Sequence, residues 1–461
     1  MMVFIGVVLV LSGALFWFFS SKNKKNLVPM APTTFLECAR EFGGPDGPMW
    51  LHHLATTMGR NTFRVPMPLS MTGAYVVGDG ALAREIYNDN LTDKPWWLMS
   101  VLTNLTGGKG TAGIRTHHDP YVRHMRKGMA PAFSKREVDR MNRIASRLGD
   151  DFLGRLKELS NQGKSFDPSM ECNRVVFMAI LEAGFEYIPT EEEYQGVYHH
   201  LTIACNEFFL RQISSPWRAL LGKIHPEVRQ AHESASFMRD FARKVLYSYR
   251  KNPRKSEEKT IIRLFEEIMP EGDDEQIIAE IVGWILAGHE TTGFSISNTM
   301  VLLAKHPDKQ EKLRRELQGS DSAPYLQYVI KETTRIVPVV AIASMRLTGR
   351  DFQCNDGSII PEGAVCIMTY YGANRDEAVY KDPETFHPER WEHASKEMIR
   401  NRYPFALGSR DCLGQRLALS NMDNIIPKLM SSFNFEVVEP GKLSNILTFK
   451  YVGAQLKAKQ L

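Results

Sequence analysis

The stretch Phe405-Ala-Leu-Gly408-Ser-Arg410-Asp-Cys412-Leu-Gly414 constrains this chain more than any other. It sets a single cysteine in a glycine-punctuated loop directly ahead of a helical pattern that begins near Gln415. Peptide N–H groups and the positive end of a following helix favour a thiolate, which is a soft metal ligand. Gly408 and Gly414 let backbone come close to a flat cofactor. A lone cysteine ahead of a helix is more often a small buried hydrophobe, so the weight lies on the whole pattern and not on Cys412 alone.

That pattern resembles the haem-binding loop of the cytochrome P450 family, F-x-x-G-x-R-x-C-x-G, with a match at every fixed position. The resemblance implies a mainly α fold with a small β-sheet lobe, holding haem b (iron protoporphyrin IX) between a long central helix and the cysteine loop. Cys412 is then the axial ligand of the iron, with Phe405, Gly408 and Gly414 shaping its loop. In this family, cations from an early helix, from a strand after the E-x-x-R helix and from the cysteine loop hold the haem propionates. Arg126, Arg346 and Arg410 are the matching positions, and the planar guanidinium fork suits carboxylates. Val122 stands where the family usually has tryptophan in W-x-x-x-R, with Tyr121 or His124 as substitute donors or as plain surface residues.

Three further blocks follow the same resemblance. Glu332-Thr-Thr-Arg335 is similar to E-x-x-R, whose two charges share a helix face. Phe386-His-Pro-Glu-Arg390-Trp391 supplies Arg390 as the third member of a structural charge network. Taken alone, E-x-x-R is more often an exposed helical ion pair. Ala287-Gly288-His289-Glu290-Thr291-Thr292 lies inside a helical pattern of about thirty residues that closes before His306-Pro307 and resembles A/G-G-x-D/E-T-T. Gly288 is poor helix material, and hydroxyl side chains compete for backbone partners, so a groove is expected here. By resemblance, Ala287 and Gly288 border the haem, Thr291 steadies dioxygen and Glu290 relays protons. His289-Glu290 is not a zinc-protease motif, since H-E-x-x-H requires histidine where Gly293 stands. Gly107 to Gly113 lacks the spacing of a phosphate loop. By resemblance it borders the substrate, with Trp96, Trp97, Leu102 and Ile114 as candidate walls or as ordinary core.

With 57 basic and 53 acidic residues, net charge +4, no basic stripe points to nucleic acid. Six scattered cysteines form no CxxC pair and fit a reduced, cytosol-facing chain. The sequons at Asn90 and Asn104 are short enough to arise by chance. Residues 1–21 are expected to be an N-terminal transmembrane anchor, because nineteen nearly wholly apolar residues reach about 28 Å as a helix and Lys22, Lys24 and Lys25 follow. Residues 22–34 read as a basic, Pro-containing hinge and 35–461 as one haem-thiolate catalytic domain. The expected location is the endoplasmic reticulum membrane with the catalytic domain in the cytosol; a plastid or other organelle membrane is the competing address. Sheet is expected within Phe63–Gly80 and Met345–Thr369. Helix is expected over Glu137–Gly154, Met238–Arg250, Glu275–Lys305 and Gln415–Phe433, with Glu191–Glu193 a solvated loop or helix start.

The expected activity is monooxygenation of an apolar small molecule. Electrons originate from NADPH or NADH and arrive only indirectly, through a separate cytochrome P450 reductase or a ferredoxin, since the chain shows no flavin or nicotinamide domain. Arg126, Lys127, Arg410 and Arg416 are the candidate docking charges. A haem-thiolate isomerase or dehydratase acting on hydroperoxides, and a non-catalytic haem binder, are the alternatives; the retained Thr291 weighs against the first, and the intact Glu290 and Thr291 against the second.

Overall fold

Apolar residues recurring at three- and four-residue spacing become long helices that surround one another, and the alternating stretches become small sheets at the periphery. The computed structural model describes residues 26–67, 72–222, 224–253, 257–269, 272–319, 323–342 and 345–461. The expected anchor, residues 1–21, lies outside them. Among the described residues, no helix is long and apolar enough to cross a membrane.

The sheet lobe pairs β1 (Thr62–Val65), β2 (Ala74–Val77), β6 (Val365–Met368) and β3 (Arg346–Leu347) in the order β1-β2-β6-β3. Strand β2 runs parallel to β6, and the other pairings are antiparallel. A two-stranded flap joins β4 (Phe352–Gln353) to β5 (Ile359–Ile360). Leu27 and Met30 form bridges to Ile359 and Arg64, so the chain is woven into this lobe from its first described residues. A long hairpin of β7 (Phe433–Ile446) and β8 (Thr448–Gln460) closes the chain.

The helical lobe is built on Lys135–Asn161, Pro168–Phe185, Glu191–Cys205, Pro226–Lys251, the central pair Asp274–Gly288 and Glu290–Lys305, Pro324–Ile336 and Gln415–Ser432. Glu191–Glu193 proves to be a helix start: Thr190 and Glu193 exchange side-chain and backbone bonds in a capping box. The expected helix over Glu275–Lys305 is interrupted at His289. Just beyond the break, a Cβ on Gly293 would stand 2.7 Å from Asn173 Cα. Glycine there lets the central helix cross Pro168–Phe185 at close range.

Candidate active site at the cysteine loop

The loop before Gln415–Ser432 has the shape its glycines require. Gly408 has φ 72°, and a Cβ on it would meet the Tyr87 carbonyl oxygen at 2.3 Å, so no other residue fits. The Cys412 N–H donates to the Phe405 carbonyl at 2.9 Å, closing the loop, and Gly414 caps the helix. The Cys412 side chain is accessible to solvent although protein crowds around it. The sequence reading expected peptide N–H groups and the end of the following helix to favour a thiolate. Burial instead pushes the Cys412 thiol up, and the N–H groups of Gly414 and Gln415 only partly offset this. Ligation to a metal, which displaces the thiol proton, would favour the anion.

Above the loop, the central helix is buried almost throughout from Ile281 to Ala304. Solvent reaches Gly283, Trp284, Leu286, Ala287, Gly288 and Thr291, a narrow stripe of mostly small residues. The Thr291 hydroxyl donates to the Ala287 carbonyl at 2.9 Å, beside the interruption at His289. Gly288 has a second reason to be small, since a Cβ there would meet Ile180 Cδ1 at 2.1 Å. Glu290 is buried and turned away from the stripe, accepting from the Thr448 hydroxyl at 3.3 Å. Burial pushes its carboxyl up. His289, whose Nδ1 meets the Ile285 carbonyl, is driven by burial down to about 4 and is therefore neutral at physiological pH.

Four cations converge beside the cysteine loop. Arg410 extends one guanidinium nitrogen, Nη2, to the carbonyls of Ala112 (2.8 Å), Gly113 (3.3 Å) and Arg115 (3.1 Å). Its Nη1 is buried and has no hydrogen-bond partner among the described residues. Burial first, then Arg126 and Arg346, press Arg410 down to about 10, which leaves it charged at neutral pH. Lys94, bonded to the Gly113 carbonyl, is pushed well down by burial and by Arg410 and Arg346. Arg346 is buried on β3, its guanidinium 4.7 Å from the centre of the Tyr87 ring. Arg126 reaches the Asp411 carboxylate at 2.6 Å and the Asp411 carbonyl at 3.1 Å. Positive charges crowded in this way call for an anion. Lys94 is the member that sequence reasoning missed, because a lysine after an aspartate carries no motif.

Neither substitute proposed for the missing tryptophan reaches this cluster. The Tyr121 hydroxyl donates to Glu280 at 2.8 Å, and His124 Nε2 meets the Ile268 carbonyl at 2.8 Å. Glu280 also accepts from the Ala112 N–H at 2.7 Å. Segment 110–115 is thereby fastened to the central helix through Glu280 and to the cysteine loop through Arg410. Trp96 and Trp97 are 41% and 43% exposed, Leu102 is half-buried and Ile114 is buried.

The charge network assembles away from solvent. Glu332 accepts two bonds from Arg335, each at 2.9 Å, one from Arg390 at 3.0 Å, one from Trp391 Nε1 at 2.9 Å and one from the His387 N–H at 2.9 Å. Arg335 continues to the carbonyls of Asn374, Pro383 and Thr385, binding the strand-to-loop segment that precedes the cysteine loop.

A family model described as Cytochrome P450 matches residues 56–460. The chain belongs to the cytochrome P450 family. Among curated P450s it is 36% identical to cytochrome P450 3A6 of Oryctolagus cuniculus over 180 residues, covering 36% of this chain and 35% of that one. It is 25% identical to cytochrome P450 3A15 of Cavia porcellus over 353 residues, covering 70% and 69%. The chain thus spans about a third of the length of the first curated relatives it matches. A crystal structure of a cytochrome P450 (CYP102L1) shares the fold with a TM-score of 0.77 at 20% identity, over 95% of this chain and all of that one.

The residues present fit the haem that the P450 family implies. The accessible Cys412 side chain can supply a sulfur ligand, the small accessible residues Gly283, Ala287, Gly288 and Thr291 could border a flat ring, and the unpartnered Nη1 of Arg410 lies in a cationic cluster suited to two propionates.

Proposed function

We propose that this P450 is a haem-thiolate monooxygenase acting on an apolar small molecule, with electrons from a separate reductase or ferredoxin. The observation that carries this reading is the pairing of an accessible Cys412 with Thr291 at the end of the accessible stripe on the central helix. When bound, haem supplies the activation of dioxygen and the transfer of one oxygen atom. The chain's own part is to hold and protonate. Arg410, Arg346, Arg126 and Lys94 would hold the propionates, and Cys412 would hold the iron. Thr291, its proton committed to the Ala287 carbonyl, offers its oxygen lone pairs to the groove and can accept a hydrogen bond from a protonated group there. Glu290 behind it exchanges protons on the buried side. The small, mostly apolar stripe and the half-buried aromatic and aliphatic groups nearby favour an apolar substrate.

For the electron donor, Lys127 and Arg416 are the exposed members of the expected basic set, whereas Arg410 faces inward and Arg126 is joined to Asp411. An acidic partner surface would meet that face. Leu36, Trp217, Leu220 and Ile224 are exposed at 73%, 44%, 85% and 80%, and Phe35 packs against Trp217, a surface suited to a membrane in a chain whose first residues are apolar. Replacing Leu220 and Ile224 by aspartate should lower partition into phosphatidylcholine vesicles, and unchanged partition would remove that role.

The deciding experiment is the carbon monoxide difference spectrum of the reduced protein, followed by NADPH-driven turnover with a reductase. A thiolate-type Soret band, absent in Cys412→Ser, is expected; a histidine-type band or no haem would end the proposal.

A further inference from the structure

One face of the central helix looks toward the C-terminal hairpin, and Glu290, Phe294 and Asn298 share it at four-residue spacing. Asn298 docks the hairpin, donating to the Phe449 carbonyl at 3.2 Å and accepting from the Tyr451 N–H at 3.3 Å. Between Asn298 and Glu290, Lys450 reaches over Phe294, its ammonium 3.6 Å from the ring centre and 5.8 Å from that of Tyr198. Glu290 is 1% exposed and Lys450 5%. Among the described residues, Lys450 makes no direct ion pair. Its side chain therefore adds no hydrogen bond to the docking that Asn298 already provides. What it contributes is a positive charge, held in a low-dielectric region where charges act over several ångströms.

We propose that Lys450 is a positioning residue for the reaction proposed above, acting as the counter-charge that lets buried Glu290 release and regain a proton beside Thr291. This rests on the monooxygenase reading. The step balances simply: the Glu290 carboxyl passes its proton to a water molecule, the carboxylate left behind is stabilised by the Lys450 ammonium, and a proton returned by water restores the acid. Without Lys450, the carboxylate would be buried with only the Thr448 hydroxyl for support.

The surrounding groups are consistent with this role. Asp167, which caps the helix Pro168–Phe185 by accepting from the N–H groups of Ser169 and Met170, is the second acid acting on Lys450. Tyr198 and Cys205, both on Glu191–Cys205, face Glu290, and burial holds both in their neutral forms. His289, adjacent in the chain, is neutral as well. Burial raises the Glu290 carboxyl, and Lys450 followed by Thr448 pulls it back. Burial lowers the Lys450 ammonium, and Glu290 followed by Asp167 restores it. Each charge depends on the other.

The test uses the full haem-loaded chain and infrared titration of the protonated carboxyl band of Glu290, identified by its loss in Glu290→Gln. In Lys450→Met the band should persist to a pH about one unit or more above that of the unsubstituted protein. Lys450→Arg should restore the original titration. Product formed per NADPH should shift along the pH axis in the same sense. A band that titrates alike in Lys450→Met and the unsubstituted chain would overturn the proposal. Should Lys450→Met not be recovered folded, Lys450→Gln carries the same comparison. The infrared reading needs no turnover, so failure of the monooxygenase reading, seen in the carbon monoxide spectrum, stays distinct from failure of this one.

Discussion

Glu290 and Thr291 are neighbours in the chain, yet their side chains serve different sides of the central helix. The Thr291 hydroxyl lies on the accessible stripe, bonded to the Ala287 carbonyl at 2.9 Å, while the Glu290 carboxylate is buried against Thr448 of the hairpin at 3.3 Å. Consecutive helical residues are about 100° apart, so one motif can equip the groove with a hydroxyl and the interior with an acid. Thr291→Ala should leave haem binding intact and keep NADPH consumption at or above its original rate, while product per NADPH falls about tenfold or more. Unchanged product formation would remove Thr291 from the proton path.

The cation cluster makes a separate prediction. Lys94→Met removes an amine that a propionate beside it would hold charged, without touching the cysteine loop, and a charge-assisted hydrogen bond contributes about 1.5–3 kcal/mol. Haem should transfer to apomyoglobin about 10- to 100-fold faster from this variant. An unaltered transfer rate would show that Lys94 does not hold the cofactor.

Glu332 answers two buried guanidinium groups, an indole N–H and a peptide N–H at once. Glu332→Gln would leave Arg335 and Arg390 without their shared counter-charge, at a cost of about 3–5 kcal/mol. Soluble yield and the midpoint of urea unfolding should both drop sharply. A variant as stable as the parent would mean that the network is replaceable.

Legibility from sequence varied with the kind of constraint. The Cys412 loop stood out because Gly408 must adopt a left-handed φ against Tyr87, and such backbone demands leave residues at fixed spacing. The Glu332, Arg335 and Arg390 trio was legible through the family pattern, since an exposed ion pair has the same local spelling as a buried one. Lys94, Glu280 and Lys450 were not legible: Glu280 and Lys450 matter through partners more than a hundred residues away, Lys94 through the Gly113 carbonyl and the distant Arg346 and Arg410, and nothing local marks them. The β7–β8 hairpin was also missed. Its strands follow directly on the helix Gln415–Ser432, and the alternation in Thr448–Gln460 is blurred where four consecutive residues, Thr448 to Tyr451, are buried between helix and sheet. Gly288 was read as opening the groove, and packing against Ile180 supplies the larger steric demand.

His289 gives a prediction in pH. Its native pKa is lowered from 6.5 to about 4, so between those values the unfolded chain binds a proton that the native chain refuses. Stability should therefore fall as pH drops below about 6.5 and level off near 4, a loss of roughly 3 kcal/mol from this residue. His289→Leu should flatten that part of the stability profile, measured by urea unfolding. An equal acid slope in the variant would place the loss in other groups.

Ala112 presents its N–H to Glu280 and its carbonyl to Arg410, so a single peptide-bearing residue buckles together the two halves that enclose the cofactor. A buckle of this kind couples the enclosure to the cofactor the family implies: haem bound between the two halves would help to hold both ends fastened, and an empty chain would part there more often. Chain synthesised under haem limitation should accordingly expose Lys109, at the edge of the buckled segment, to trypsin far faster than loaded enzyme. Cofactor supply would then govern the lifetime of the protein as well as its activity.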